Sequence, residues 1–438
     1  MNYDAQIQAA ESDPQQLEQL YQDARDSDQI EDFRLAMFAC YRSDPENVLF
    51  AAWTYRLSEP AEDDRKSGRA TNWLAAVPLS ILTGLTFWAI SDVENFLVLD
   101  LIPQIALWWS PIATMSALVF MAVTAKKRYG VAAALGLGLL AAAAYAVLLA
   151  PAFRFDWAPK QYLILAVIHI PLLCWAALGI WVLGVKSSME NRFAFLIKSI
   201  EVVIVAGLYL AAGMAFGGIT IGMFAALGIE LPELLLRLIG AGGVGLLPVL
   251  AVATVYDPTA APANQNFEQG LSKFIATMMR LLLPLTLVVL AVYILVIPFN
   301  FLAPFERRDV LIVYNLMLFA IVGLLIGATP IRADDLSPDL QKYLRAGIIA
   351  VAILAVLVSG YALSAVVYRT LQGGLTLNRL TVIGWNSINI GILLVLVITQ
   401  IRKGHEGWGE ALQTVFSRAT NAYLAWGLFL LIALPILF

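Results

Sequence analysis

The sequence predicts an all-α fold: a polytopic transmembrane helix bundle of about eleven spans, with a small N-terminal cytoplasmic helical domain. Three observations predict it. Hydrophobic residues fill 60% of the 438 positions and charged residues 14%, with a mean hydropathy of +0.77, against roughly 25% charged residues in an ordinary soluble domain. After Thr71, apolar runs about 18–25 residues long recur, each long enough to cross a ~30 Å hydrocarbon layer as a helix. The first 70 residues instead hold 15 of the 32 acidic residues and no such run.

Composition also excludes several functions. A net charge of −4 argues against a broadly basic nucleic-acid binder. Two cysteines, Cys40 and Cys174, cannot build a disulfide scaffold or a four-cysteine metal site. Two histidines, His169 and His405, leave little for a His-rich centre. HExxH, GxSxG and GxGD are all absent, so no catalytic residue, metal or cofactor is assigned.

The polar start MNYDAQIQAAESDPQQ lacks the basic n-region and apolar h-region of a signal peptide. Residues 1–60 read as a soluble α-helical domain and 61–70 as a charged linker. Ser12-Asp13-Pro14 and Ser43-Asp44-Pro45 each put Asp at an N-cap and Pro at the first helical position. Asp28 and Glu31 have capping-box spacing. Three helices follow, at about 14–26, 29–42 and 45–57. The echo between the two Ser-Asp-Pro starts fits either two ordinary helix starts or a degenerate helical repeat that binds a cytoplasmic protein partner.

From residue 71 to 438 the expected spans are 73–91, 105–124, 130–150, 161–184, 194–216, 236–256, 274–299, 310–328, 344–367, 379–401 and 420–438. Each satisfies its own backbone hydrogen bonds, as lipid requires. Residues 218–235 leave three readings open: an extension of the fifth span, a re-entrant piece or an interfacial segment. Lys and Arg number 17 in the loops that are inside when the N-terminus is cytoplasmic, against 7 in the others. That asymmetry favours a cytoplasmic N-terminus. Eleven spans then place Phe438 outside. Trp73, Trp108, Trp109, Trp157 and Trp408 near span ends fit an interfacial belt, and 406–418 reads as an amphipathic piece on the inner surface.

Few polar residues fall inside the spans, and each carries two readings. His169, in AVIHIPLLCW, is two residues before Pro171, whose missing N–H frees the carbonyl of Val167 and kinks the helix. An imidazole there either relays protons or contacts a solute, or else is a neutral, hydrogen-bonded core histidine. Cys174 lies off its face, so the two do not make a metal pair. Glu201 stands three residues after Lys198, a spacing for a same-helix ion pair or for a carboxylate facing a polar cavity. Asn386 and Asn389 share a face of the tenth span, as a polar pathway or as interhelical hydrogen bonds, and Asn315 in the eighth reads the same way. Gly213/Gly217 and Gly218/Gly222 permit close helix contact. Glu233 and Arg237 have i,i+4 spacing on an amphipathic interfacial edge.

The most distinctive stretch is Arg369-Thr-Leu-Gln-Gly-Gly-Leu-Thr-Leu-Asn-Arg379, in which Thr376 is placed to cap the next helix. Its interfacial Arg369 and Arg379, with Thr376, suit lipid headgroups or another anion. The stretch resembles the R-x-x-x-Y-G-L-T-x-x-R motif of a bacterial family of polytopic membrane proteins, domain-of-unknown-function family 4153. Arg369, Gly374, Leu375, Thr376 and Arg379 match, and Gly373 stands where the family has Tyr. The resemblance covers mainly the last ~130 residues and implies a multi-pass protein of the bacterial inner membrane, without an established activity. Two functions remain in view. One is a permease-like protein for a small or lipid-related solute, with its polar path at His169, Glu201, Asn315, Asn386 and Asn389. The other is a non-enzymatic scaffold or envelope sensor whose residues 1–60 bind a cytoplasmic partner. A membrane enzyme on a lipid-linked substrate ranks last, for want of an acid/base pair. Membrane lipids are the expected surroundings in every case.

Overall fold

The computed structural model describes residues 3–26, 29–58, 71–184, 186–267, 270–332, 336–404 and 407–438. The chain is all-α, 83% helical, and divides into two compact units, Met1–Ala70 and Thr71–Phe438.

Among its described residues the first unit has four helices where the sequence predicts three: α1 (Tyr3–Ala9), α2 (Pro14–Asp26), α3 (Ile30–Ser43) and α4 (Val48–Ser58). The unpredicted α1 is only 7 residues long, too short for a period to stand out, and is held by burying Tyr3 and Ile7. Asp13 caps α2 as expected, its Oδ1 accepting from the backbone N–H of Gln15 and Gln16. The Asp44-Pro45 signal does not start α4. Asn47 does, accepting from Leu49 and Phe50 at 2.9 and 3.1 Å. Asp28 of the expected capping box lies outside the described residues, and α3 has Gln29 at its N-cap with no side-chain cap. Tyr3, Tyr21, Phe33 and Trp53 pack edge-to-face in a core that also takes in Leu17, Met37 and Phe50. Burial pushes the Cys40 thiol up from its ordinary pKa.

In the second unit, ten helices among the described residues are long and apolar enough to cross a membrane. They are α6 (Gln104–Ala125), α7 (Tyr129–Leu149), α8 (Ala158–Leu183), α9 (Met189–Ala226), α10–α11 (Glu233–Arg237 and Gly243–Val255, joined by a π-turn), α12 (Gly270–Val296), α14 (Arg308–Ala328), α15 (Pro338–Gly373), α16 (Leu377–Lys403) and α17 (Trp408–Ile432). The eleventh expected span, α5 (Trp73–Ala89), is apolar but has 17 residues. Short α13 (Ala303–Glu306) and α18 (Leu434–Leu437) complete the α-helices among the described residues. A two-stranded hairpin pairs Leu97–Val98 with Ile102–Pro103, a small departure from pure helix.

Several expectations change. Residues 218–226 extend α9, which at 38 residues is roughly 57 Å long. The chain then turns through Gly228 at φ +70°. The stretch 408–418 is not a surface helix. It is the first part of α17, with Leu412, Gln413, Phe416 and Ser417 buried in the bundle. Trp408 is buried too, and so leaves the predicted belt, whereas Trp73, Trp109 and Trp157 stay exposed.

The glycine contacts also move. At Gly213, Gly218 and Gly222 an added Cβ meets nothing within 4 Å, and only Gly217 packs closely, on Ile239. The tight crossing is α5 on α10–α11 instead. A Cβ on Gly84 sits 2.7 Å from the Gly242 carbonyl oxygen, and one on Gly245 sits 2.7 Å from the Gly84 Cα. Arg237 strengthens this crossing by bonding Asp92 (3.2 Å), the Ser91 hydroxyl and the Trp88 carbonyl, rather than pairing along its own helix with Glu233. Backbone and side-chain N–H groups of Asn95 hold the Asp92 carboxyl below the usual carboxylate range.

Candidate functional site

Four helices of the membrane unit, α9, α12, α14 and α17, frame a cavity of about 720 Å³. Apolar side chains dominate its wall, among them Ile200, Val203, Met279, Met317, Ile321 and Phe416. Four hydroxyls join them, and each has spent its proton. Ser199 donates to the Phe195 carbonyl, Thr286 to Leu282 and Thr420 to Ser417. Tyr423 donates to the Asn389 side-chain oxygen. A hydroxyl bonded this way offers only residual acceptor capacity. Among the described residues no charged residue lines the cavity.

Tyr423 links this wall to the polar residues of α16. Asn389 and Asn386 share a face there, as their i,i+3 spacing predicts, and are 0% and 2% exposed. Asn389 receives the Tyr423 hydroxyl, while the amide nitrogens of both asparagines lack a hydrogen-bond partner. Trp385, on the preceding residue, packs edge-on against Phe319 of α14 and Tyr423 of α17. Its indole N–H donates to His169 Nε2 at 2.9 Å. His169 Nδ1 lies 2.6 Å from the Leu165 carbonyl oxygen. With one nitrogen accepting, the other must donate, so the imidazole is neutral and both of its nitrogens are engaged. α8 is assigned as helix without interruption through Pro171.

The remaining sequence candidates fall elsewhere. Lys198 and Glu201 form the expected pair at 2.7 Å, buried within the bundle, 4% and 2% exposed. Lys198 Nζ also donates to the Asn266 carbonyl (2.7 Å) and the Ser272 hydroxyl (3.0 Å), and stands 4.5 Å from the Phe267 ring. Ser272 in turn donates to Glu201. Asn315 turns back on its own helix, donating to the Leu311 carbonyl. At the far turn Thr376 caps α16, accepting from Arg379 N–H at 3.3 Å, and Arg379 donates to the Gly374 carbonyl at 2.6 Å. Nη1 of Arg369 is buried without a partner. His405 lies outside the described residues. No cluster of three potential metal ligands occurs among the described residues.

The structure thus joins His169 to Asn386 and Asn389 through Trp385, and leaves Glu201, Asn315 and the Arg369–Arg379 turn apart. Sequence reading missed the cavity and the link residues Trp385 and Tyr423. The available signal was positional: Trp385 precedes Asn386 within a span, where an indole N–H must find an acceptor. The chain is an integral multi-span membrane protein, and no protein-family model, curated protein or solved structure matches it.

Proposed function

We propose that the membrane unit is permease-like and handles a lipid-related solute, held in the cavity between α9, α12, α14 and α17. One observation carries this reading: a wall of about 720 Å³ without a charge and with every hydroxyl proton committed. Ions, sugars and amino acids need charges or free donors to offset their desolvation, and this wall offers neither. An acyl chain or similar apolar body needs none. The volume falls within the ~300–1,000 Å³ range of small-molecule sites. Asn389, through Tyr423, forms the polar boundary where a headgroup would stop. His169 serves as a fixed strut rather than a proton relay.

A photoactivatable diazirine phospholipid in detergent micelles tests this. Cross-links are expected on α9, α12, α14 and α17. Gly323 lines the cavity and has open space at its Cβ, so Gly323→Trp fills the site without a backbone clash. That variant is expected to lose those cross-links at unchanged thermal stability. Cross-links spread evenly over the apolar surface, or unaffected by G323W, overturn the reading.

We place the chain, on the Arg369–Arg379 motif alone, with the bacterial polytopic family it resembles, in an inner membrane; the Lys/Arg asymmetry of its loops and eleven spans put residues 1–60 in the cytoplasm and Phe438 outside. Reporter fusions before Met1 and after Phe438 test the orientation. Equal activity at both ends means an even number of spans. A scaffold or sensor reading keeps one observation in its favour. Leu35, Val48 and Tyr55 of the N-terminal unit are exposed apolar side chains suited to a protein partner. Deleting residues 1–60 abolishes that function and spares the cavity.

A further inference from the structure

A second, smaller pocket of about 220 Å³ lies where the start of α15 meets the end of α16 and the start of α17. Pro338, Gln341, Lys342, Arg345 and Trp408 line it. We propose that this pocket binds a phosphate-type anion, through the Arg345 guanidinium and the Lys342 ammonium set one helical turn apart.

A chain of hydrogen bonds builds the pocket. Gln341 donates to the Leu336 carbonyl at 3.0 Å and accepts the Trp408 indole N–H at 3.2 Å. The Trp408 carbonyl accepts from Gln400 at 3.0 Å. Gln400, fully buried, takes two bonds from Arg345: Nε to its side-chain oxygen at 3.2 Å and Nη2 to its carbonyl at 2.6 Å. Three helices thereby fix the plane of one guanidinium.

That guanidinium is held entirely by neutral acceptors. Of its five N–H donors two are used, so three remain, and Lys342 adds an ammonium with three donors of its own. Among the described residues no carboxylate lines the pocket. Two like charges at i,i+3 repel, and an anion between them removes that cost. A planar fork beside a point charge is the donor set that phosphate oxygens take. The pocket is smaller than the ~300 Å³ lower bound of drug-sized sites, so it suits one phosphate group rather than a nucleotide. Free phosphate and the phosphate of an anionic lipid share this chemistry.

The test uses the full chain in neutral detergent. Thermal stability is read against inorganic phosphate, with chloride at equal ionic strength as the screening control. Native mass spectrometry then compares phosphatidylglycerol with zwitterionic phosphatidylcholine. Lys342→Gln touches an exposed side chain and is expected to keep the fold while weakening binding about tenfold or more, the scale of one charged hydrogen bond. Arg345→Lys keeps the charge, loses the fork and is expected to weaken binding further. A response to phosphate alone identifies a free anion, and retention of phosphatidylglycerol alone identifies a lipid headgroup. Equal shifts with phosphate and chloride together with no preference for phosphatidylglycerol, or a K342Q protein that binds both probes like the parent, overturn the proposal.

Discussion

The indole N–H of Trp385 donates to Nε2 of His169 at 2.9 Å, while the opposite ring nitrogen of His169 lies 2.6 Å from the Leu165 carbonyl oxygen. This bond joins α8 to α16 and leaves the imidazole no nitrogen for a relay. His169→Leu and Trp385→Phe are each expected to destabilise the protein. The double variant is expected to cost less than the sum by roughly 0.6–1.7 kcal/mol, the scale of interhelical hydrogen bonds in membranes. A cycle of thermal or denaturant unfolding in detergent checks it. Strict additivity removes the bond from the account.

Gly84 fixes the approach of α5 to α11. An Ala Cβ there lies 2.7 Å from a backbone oxygen, which cannot swing aside as a flexible side chain does. Gly84→Ala is expected to cost about 1–3 kcal/mol, the range for overpacking. Gly213→Ala meets open space and is expected to be neutral or slightly stabilising, since Ala is the better helix former. If both variants melt alike, the α5 crossing is not the tight one.

In the N-terminal unit, Arg56 bonds Glu18 at 2.6 Å and lies over the Trp53 ring at 4.4 Å. The Arg56 guanidinium holds the Glu18 carboxyl below the usual carboxylate range. A depressed folded pKa means the contribution is complete above the unfolded value of ~4.3 and fades as pH falls through the folded value. Amide exchange in α2 and α4 of the full chain, corrected for its intrinsic pH dependence, is therefore expected to show falling protection below about pH 4.3. Glu18→Gln is expected to remove the Glu18 share of that dependence. The pair is solvent-exposed, so high salt is expected to shrink the effect.

The bundle was legible because lipid imposes one rule: a spanning segment must be apolar and satisfy its own backbone. Helix starts were legible where a cap is local, as at Asp13 and Thr376. Asp44 failed because Asn47, three residues on, accepts the N–H groups instead. The Asn386–Asn389 face was readable from spacing, but its partner Tyr423 is 34 residues away from Asn389. His169 and Trp385 are separated by 216 positions. Apolar runs carry almost no information about which helices touch, because Leu packs on Leu as readily as on lipid. The small-residue pairs of α9 show the same limit: permission for close contact does not name a neighbour.

Lys198, Glu201 and Ser272 tie α9 to the start of α12 inside a low-dielectric region. Removing one partner leaves the other charge uncompensated, which costs about 3–5 kcal/mol, whereas replacing both by apolar groups of similar volume is often neutral. Glu201→Leu alone is therefore expected to destabilise strongly, and Lys198→Met with Glu201→Leu to recover most of the loss. Unfolding in detergent reads the first effect. Diazirine-lipid cross-linking of the double variant reads whether Glu201 does anything else. Leu196 and Ser199 line the cavity one helical turn or less from Lys198, yet neither charged residue does. Cross-linking is accordingly expected to survive in the double variant. A stable double variant that no longer captures lipid would return Glu201 to the solute path.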